Sequence, residues 1–500
     1  MRVHVMLVFM TTTATITDAY DTPAPPAADA SNTSWPLRLW GTLVVLCIVL
    51  FLDGLDVSMV GVALPSVGSE LGMSTSTAQW LISGYVLGYG GLLLLGGRTA
   101  DLLGRRKVFL IALAVFAAAS LLGGVVDSVP LLIATRFIKG LAAAFTAPTG
   151  LSIITTTFAE GKMRNKALAI YTVFGASGFS SGLVFGGLMT GIGWRWTFLL
   201  PVPVAILALV GAFIFIPRDK ATEQGGFDIL GALASTSAML LLVYTVVSAP
   251  EAGWASARTL GSFALVAALL TAFVSIERRV RHPLIRLGIL RKANLLRANA
   301  AIIAMAGSFV SFQFIVTIYV QNTLGWTPMH LGLALLPTGL LVAFSAPWAD
   351  KVIDRLGTPR LIIAGLVSMT LGYLLFLRID STPTYATDIL PTVLLLGLGF
   401  ALGFSAINVQ ATSGIQDHEQ GLAAGLVQTS MQVGAALVLA VTTAVIASDP
   451  GGHAESAAQV LDDYKPGLVF ISFVALAGVA ATLTHWVGRR PATVRDEVLV

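Results

Sequence analysis

The chain has 500 residues, of which 56% are hydrophobic and only 11% are charged, and its mean hydropathy is +0.84. Soluble domains carry about a quarter charged residues, so this composition excludes a soluble enzyme, a disordered chain and a secreted disulfide scaffold. The net charge of +4 gives no reason to expect a nucleic-acid partner, because the position of charges matters more than their sum in a membrane protein.

The first 36 residues are predicted to form a disordered tail. Arg2 and the apolar run Val3–Met10 faintly resemble a signal peptide, but the run is short and no clear cleavage pattern follows it. The stretch 11–36 is rich in Thr, Pro and Ala, a composition typical of disorder. We therefore predict no fold for residues 1–36, and Met10 is an alternative start.

Fourteen apolar segments follow, each about long enough to cross a hydrocarbon layer of ~30 Å. Backbone groups in lipid must hydrogen-bond within their own segment, so each segment is predicted to be an α-helix. The predicted fold class is an all-α integral membrane protein. The segments lie near 41–63, 80–97, 108–126, 131–154, 167–190, 198–216, 229–248, 259–276, 298–320, 331–349, 361–378, 389–410, 421–447 and 467–487.

The basic residues predict the orientation, because Lys and Arg are enriched in cytoplasmic loops. With the N-terminus inside, most Lys and Arg fall in cytoplasmic stretches, although the loop around Asp417–Glu419 has none. We therefore predict a multi-pass protein of the cytoplasmic membrane with both termini in the cytoplasm. The loop residues that fall outside are Arg195, Arg258, Arg378 and Lys465.

A loop repeat predicts two homologous halves. The connection after the second segment reads GRTADLLGRRK (Gly97–Lys107), and the connection after the tenth reads ADKVIDRLGTPR (Ala349–Arg360). Asp101 and Gly104 recur as Asp354 and Gly357, about half the chain later. Two halves that close around a site at the membrane midplane suit alternating access. They suit a simple channel or an embedded enzyme less well.

The first of these loops resembles the signature of the major facilitator superfamily. The chain also carries LDVSMVGVALP (Leu55–Pro65), ATRFIKG (Ala134–Gly140) and WRWTFLL (Trp194–Leu200). With fourteen segments, these strings are similar to the fourteen-helix drug:proton antiporter branch of that superfamily. The resemblance implies two six-helix bundles plus two extra helices, here Asp228–Ile276. It also implies export of hydrophobic, often cationic or antibiotic-like compounds in exchange for protons.

This resemblance predicts a division of the chain. The predicted parts are the tail 1–36, a six-helix bundle over 37–218, two extra helices and a cytoplasmic linker over 219–297, a second bundle over 298–488, and a cytoplasmic tail over 489–500. The Arg-rich part of the linker, Glu277–Arg297, is predicted to rest on the anionic inner leaflet. A simple connector is the alternative.

Four charged residues lie deep in predicted helices, where a charge costs roughly 2.5–3.5 kcal/mol on insertion scales. At 1.5 Å per residue, Asp53 and Asp56 lie about 18 and 22 Å from the inner face, whereas Arg136 and Lys139 lie about 8 and 12 Å from the outer face. Across ~30 Å these depths match Asp56 with Arg136 and Asp53 with Lys139. Residues three apart share a helix face, so we expect a doubled ion-pair cluster.

The resemblance assigns proton coupling to an acid of the first helix and an Arg of the fourth, here Asp56 and Arg136. Lys139 departs from the family, which often has Gln there, and Asp53 is an addition. Our hypothesis is that Asp56 or Asp53 takes up a proton from the outside and releases it inside. The alternative is a structural cluster that ties the two helices together.

The repeated loops are candidate gates. Gly97 permits close helix contact, and the resemblance implies that Asp101 and Arg105 form a charge network at a cytoplasmic gate, which Gly104 adjoins. The second copy, with Asp354 and Gly357, has Asp350 where the first has Gly97. The alternative is that the basic residues of these loops only set the membrane topology.

Glycines recur every four residues in the fifth segment, at Gly178, Gly182 and Gly186. They form a smooth stripe that predicts close helix packing. The stretch resembles the antiporter-type motif of the superfamily, but Leu183 stands where that motif has Pro. A direct role in the direction of transport is the alternative to packing.

The second half carries amides and aromatic rings where the first half carries charges. Gln313, Asn408, Gln428 and Gln432, together with Phe312, are predicted to line a cavity for an apolar ligand. The alternative is that the amides hydrogen-bond between helices and the rings face lipid. Phe309, Phe314 and Tyr319 are further candidates for the lining of this cavity.

No metal-ligand spacing, phosphate loop or nucleophile motif is found in the sequence, so no metal, cofactor or enzymatic activity is expected. The function predicted is proton-coupled efflux of small hydrophobic compounds by a monomer in the lipid bilayer. The alternative is proton-coupled uptake of a small metabolite by the same fold.

Overall fold

The computed structural model describes residues 35–159, 161–218, 228–280, 283, 287–345, 348–379, 383–416, 419–447 and 457–487. The predicted tail 489–500 and most of the tail 1–36 lie outside these ranges, as do parts of the linker. The described residues from Arg38 onward belong to one compact unit. Within the described ranges every regular element is a helix.

Fourteen long helices follow one another in these ranges, and they are numbered here in chain order. They are α1 (Leu37–Glu70), α2 (Trp80–Leu103), α3 (Arg105–Val125), α4 (Val129–Thr157), α5 (Lys162–Ile192), α6 (Pro201–Phe215), α7 (Ile229–Ala252), α8 (Ala257–Arg279), α9 (Ala293–Ile318), α10 (Pro328–Ser345), α11 (Thr358–Phe376), α12 (Leu390–Thr412), α13 (Gln420–Ala447) and α14 (Ala457–Val487). Shorter elements lie at Thr75–Ala78, Trp196–Leu199, Leu287–Arg291, Tyr319–Thr323, Ala349–Leu356 and Tyr385–Ile389.

The predicted fold class is confirmed, since each predicted segment coincides with one of these helices. Among the described residues, thirteen helices are long and apolar enough to cross a membrane by length and composition. The remaining one, α2, has 24 residues, which is about 36 Å at 1.5 Å per residue. In the linker, α9 already begins at Ala293, so the predicted connector 277–297 is shorter than expected.

Successive spanning helices run in opposite directions, so the connections alternate between two ends of the protein. We call these the Gly104 end, which holds the α2–α3 connection, and the Trp194 end, which holds the α5–α6 connection. Gly104 and Gly357 have φ of 95° and 78°. Each is the single residue between one helix and the next, where the backbone conformation favours glycine. The sequence repeat therefore marks equivalent turns in the two halves.

The glycine stripe of α5 lies directly against α1. A Cβ atom added to Gly186 would lie 2.9 Å from the Cα of Met59, and one added at Gly178 or Gly182 would overlap the α1 backbone. The opposite face of α5 contacts α10, where Gly332 lies against the carbonyl oxygen of Leu183. The helix is continuous through Leu183. Small side chains thus let α5 fit between α1 and the second half.

One of the two extra helices, α7, packs onto the interface, or seam, between the first half (α1–α6) and the second half (α9–α14). Thr236 of α7 donates a hydrogen bond to the carbonyl oxygen of Gly91 in α2, at 2.9 Å. Val243 and Val246 of α7 share an apolar cluster with Tyr85 of α2 and Ala440 of α13. The helix α7 therefore contacts both halves at once.

At the Trp194 end, ion pairs on the surface join three connections. Arg195 pairs with Glu70 at the end of α1 and with Asp127 between α3 and α4. The hydrogen bond that Arg195 donates to Glu70, and next the one that it donates to Asp127, raise the pKa of Arg195 above its usual value. Because these side chains are exposed, the pairs contribute little to stability.

The stripe predicts a sharp difference between two glycines of α5. Gly182→Ala should destabilise the protein by about 1–3 kcal/mol, because its Cβ would overlap Leu55 and Ser58. Gly191→Ala is the matched control, since no atom lies within 4 Å of its added Cβ, and alanine favours helix by up to ~1 kcal/mol. Thermal unfolding in detergent measures both, and an unchanged melting temperature for Gly182→Ala would contradict the close packing.

Candidate functional site

A buried cluster of three charged side chains joins α1 to α4. One carboxylate oxygen of Asp56 accepts a hydrogen bond from Arg136 Nη1, and the other accepts one from Lys139 Nζ. All three side chains are at most 1% exposed. Charges are found in such an interior only when they are paired, because desolvation costs several kcal/mol per ion. One carboxylate therefore serves two cations.

The two cations are also held by neutral groups of neighbouring helices. Arg136 Nε donates to the carbonyl oxygen of Leu81 in α2 at 2.8 Å, and its guanidinium lies 4.7 Å from the ring of Tyr85. Lys139 Nζ lies 4.9 Å from the ring of Phe116 and 5.4 Å from that of Phe198. Ring faces stabilise a desolvated cation by about 2 kcal/mol.

A glycine makes this arrangement possible. An added Cβ at Gly140, next to Lys139, would overlap the backbone of Tyr85. The axes of α2 and α4 therefore come close enough for the guanidinium of Arg136 to reach the α2 backbone. The string ATRFIKG combines both cations and this contact within one short stretch.

The second acid, Asp53, does not pair as its depth predicts. Its carboxylate accepts a hydrogen bond of 3.4 Å from Thr146 Oγ1, whereas Lys139 is bonded to Asp56. The predicted pairing of Asp53 with Lys139 is therefore wrong. The depths were counted along the helix axes, but the long side chains of Arg and Lys extend several Å and converge on one carboxylate. The prediction that all four residues lie in one region holds.

The predicted gate residues have separate surroundings. A Cβ at Gly97 would be in ordinary contact with Pro148, at 3.5 Å, so α2 lies beside α4 here at a distance that does not require glycine. Asp354 is exposed, and the side chain of Asp101 lies outside the described part, so its predicted network with Arg105 stays a prediction. The neighbour Arg106 donates to the carbonyl oxygen of Phe213 and lies over its ring at 5.1 Å.

The predicted cavity residues are divided between two places. Gln313 faces Gly61 of α1, and Gln432 faces Gly90 of α2, so both lie at the seam between the halves. Gln428 is half-buried one turn before Gln432. Gln313 and Gln432 are thus positioned between the halves, as a central site requires.

Two other residues predicted to line the cavity make contacts within the second half instead. Phe312 is 2% exposed and packs against Tyr373 and Phe376, with ring centroids 5.4 and 5.0 Å away. It belongs to the apolar core of the second half. Asn408 donates to the carbonyl oxygen of Phe404 in its own helix, at 2.9 Å.

A row of four phenylalanines crosses the seam between the halves. Phe179 of α5 lies 6.1 Å from Phe309 of α9, which lies 5.3 Å from Phe400 of α12, and Phe404 follows at 5.5 Å. All four rings are half-buried. Of these four rings, only Phe309 is among those that the sequence predicts to line a cavity. The i, i+4 spacing of Phe400 and Phe404 placed them on one face of α12, but nothing local indicated which face.

The two halves are joined firmly at the Trp194 end. Gln79, just before α2, is fully buried and accepts a hydrogen bond from Thr443 of α13. Gln321 donates to the carbonyl oxygen of Val62 at 2.8 Å. An apolar cluster around Leu81 also combines both halves at this end. The structure is thus closed towards the Trp194 end.

Comparison with known proteins agrees with this architecture. The family model of the Major Facilitator Superfamily matches residues 46–439. The chain is 36% identical over 465 residues to the puromycin resistance protein pur8 of Streptomyces alboniger, covering 90% of this chain and 91% of that protein. It is 33% identical over 459 residues to the cephamycin export protein CmcT of Amycolatopsis lactamdurans, covering 90% and 93%.

Solved structures show the same fold. The crystal structure of the POT family transporter PepTSo is similar with a TM-score of 0.62 and 17% identity, covering 90% of this chain and 99% of that one. At this identity the likeness concerns the fold alone.

Proposed function

Because the chain belongs to the major facilitator superfamily, we propose that it exports small hydrophobic, antibiotic-like compounds from the cell in exchange for protons. The observation that carries this proposal is the buried cluster of Asp56, Arg136 and Lys139, with Asp53 beside it, inside a multi-pass membrane protein. Ionisable groups within a membrane mark proton or ion pathways by default. The names of relatives that cover nine-tenths of the chain support antibiotic-like substrates.

The aromatic row supports a hydrophobic substrate. Phe179, Phe309, Phe400 and Phe404 present ring faces at the seam between the halves. A planar apolar molecule gains both area burial and ring stacking there. Gln313 and Gln432 at the same seam supply a few polar groups, the usual composition of a small-molecule site.

Alternating access requires the two ends to open in turn. The helix α2 contacts the charge cluster through the carbonyl oxygen of Leu81 and the ring of Tyr85, and it contacts α13 through Gln79. A change in the charge of the cluster therefore acts on the helix that closes the Trp194 end. Protonation biases the closed and open states through this differential interaction.

The Gly104 end is proposed to face the cytoplasm, with both chain termini on that side. The basic residues Arg98, Arg105, Arg106 and Lys107 gather there, as they do at cytoplasmic loops generally. We also propose that a single chain is the transporting unit, since both halves of the seam come from it.

Thiol labelling tests this orientation. Cys47 is the one cysteine of the sequence and is buried, so Cys47→Ser provides a background for single thiols. A membrane-impermeant reagent applied to intact cells should label Ala255→Cys at the Trp194 end and not Lys107→Cys at the Gly104 end. The reverse pattern would overturn the orientation.

Transport in everted membrane vesicles tests the direction and the coupling. Energised vesicles should accumulate puromycin, the compound for which one relative is named, and a protonophore should abolish the accumulation. Arg136→Gln should abolish it too, because Asp56 loses one of its two cations, whereas the matched exposed-arginine variant Arg195→Gln should retain it. If puromycin, or another antibiotic of a test panel, accumulates only in right-side-out vesicles, the protein is an importer instead.

The aromatic row predicts which ring contributes to binding. Phe309→Ala should weaken substrate binding about tenfold or more, because a buried ring contributes roughly 1.5–3 kcal/mol. Phe344→Ala is the control, since that ring is 68% exposed on the outer surface. Equal apparent KM values for the two variants in the vesicle assay would remove the aromatic row from the binding site.

A further inference from the structure

We propose that the transported proton binds to Asp53, while Asp56 remains ionised as the fixed counter-ion of Arg136 and Lys139. This inference rests on the proposed proton exchange and assigns it to one carboxyl group. Asp53 lies outside the motif LDVSMVGVALP, which begins at Leu55.

The contacts of Asp56 oppose protonation. Both of its oxygens accept hydrogen bonds from cations, and its side chain is fully buried. A proton on either oxygen would remove the negative charge to which both N–H donors are bonded and would weaken both hydrogen bonds. It would also leave Arg136 and Lys139 as two buried cations without a bonded anion, which is strongly unfavourable.

The contacts of Asp53 permit protonation. Within the described part of the chain, its carboxylate accepts one hydrogen bond, which the neutral hydroxyl of Thr146 donates at 3.4 Å. A neutral hydroxyl lacks the Coulomb attraction by which a neighbouring cation favours the ionised form of a carboxyl. When a proton binds to the other oxygen, the Thr146 bond and the hydrogen bonds of Asp56 to Arg136 and Lys139 persist, while the net charge of the region changes by one. Asp53 is also the more accessible acid, with 6% exposure against 0% for Asp56.

The groups that surround Asp53 are mostly neutral. Its own helix presents Asp56, and α4 presents Thr146 and Lys139. Tyr85 and Tyr89 of α2 and Tyr171 of α5 lie within electrostatic range. Among the described residues the Tyr85 hydroxyl has no hydrogen-bond partner.

The position of Asp53 gives the proton a direction. Asp53 lies one helical turn closer to the Gly104 end than Asp56, and the Trp194 end is closed in this conformation. A proton that leaves Asp53 here therefore exits towards the Gly104 end. The O–H bond breaks, the carboxylate regains its charge, and the net charge of the four ionisable residues falls from +1 to zero.

The primary experiment needs no substrate. Infrared spectra of the purified full-length protein in detergent are recorded as a function of pH, over about pH 5–9, where exposed carboxyls are ionised. We expect the carbonyl band of a protonated buried carboxyl to appear as pH falls and to be absent from Asp53→Asn. A band that persists unchanged in Asp53→Asn, or no titrating band in the parent protein, would overturn the proposal.

A pair of threonines provides the matched control. Thr146→Val removes the donor to Asp53 without changing the side-chain shape, so the proton should be held to higher pH. We expect the band midpoint to rise by about 0.5–1 pH unit, the equivalent of one weak hydrogen bond. Thr149→Val should leave the band midpoint unchanged. Thr149 lies on the same helix and is as buried as Thr146, but its hydroxyl has no hydrogen-bond partner among the described residues. Equal midpoints for both variants would contradict the role of Asp53.

A transport assay separates this inference from the function on which it rests. In proteoliposomes, Asp53→Asn should lose puromycin uptake driven by a pH gradient but retain exchange of labelled for unlabelled puromycin. Gradient-driven uptake that survives in Asp53→Asn would overturn the assignment. If the parent protein shows no proton-driven uptake of any compound, the proposed function fails, and the infrared titration still decides whether Asp53 binds the proton.

Discussion

The sharing of one buried carboxylate by two cations sets the geometry of the first half. Asp56 neutralises only one of Arg136 and Lys139, so the remaining charge must be stabilised by the neutral groups that line the cluster. A backbone carbonyl and several aromatic rings do this. Because water cannot replace these contacts in a membrane interior, the helices that supply them must stay close together.

Glycine is the means by which the helices come so close. Gly140 brings α4 against α2, and Gly182 brings α5 against α1. In lipid, helix association depends on close packing and hydrogen bonds because the apolar surroundings provide no hydrophobic drive. The charged cluster and the small residues are thus parts of one arrangement. The glycines allow the helices to approach closely, and the charged side chains form their contacts across these short distances.

The deep charges and most of the aromatic row lie in different halves of the protein. The first half holds the deep charges, and the second contributes most of the aromatic row, with Phe309, Phe400 and Phe404. The helix α2 connects the two, because it contacts Arg136 through Leu81 and the other half through Gln79. The proposed proton site in the first half is therefore connected through α2 to the seam formed by both halves.

The sequence by itself determined the helices, the repeated turns and the membership of the charged cluster. Apolar segments must be helical in lipid, Gly104 and Gly357 lie where the backbone has positive φ, and charges deep in a membrane are stabilised by pairing with one another. These properties depend on local hydrogen bonding and hydropathy. The tertiary structure alone decided that Lys139 bonds to Asp56 and that Phe312 faces the core. Such choices depend on how each helix is rotated and how far its side chains extend, and neither is encoded within a single segment.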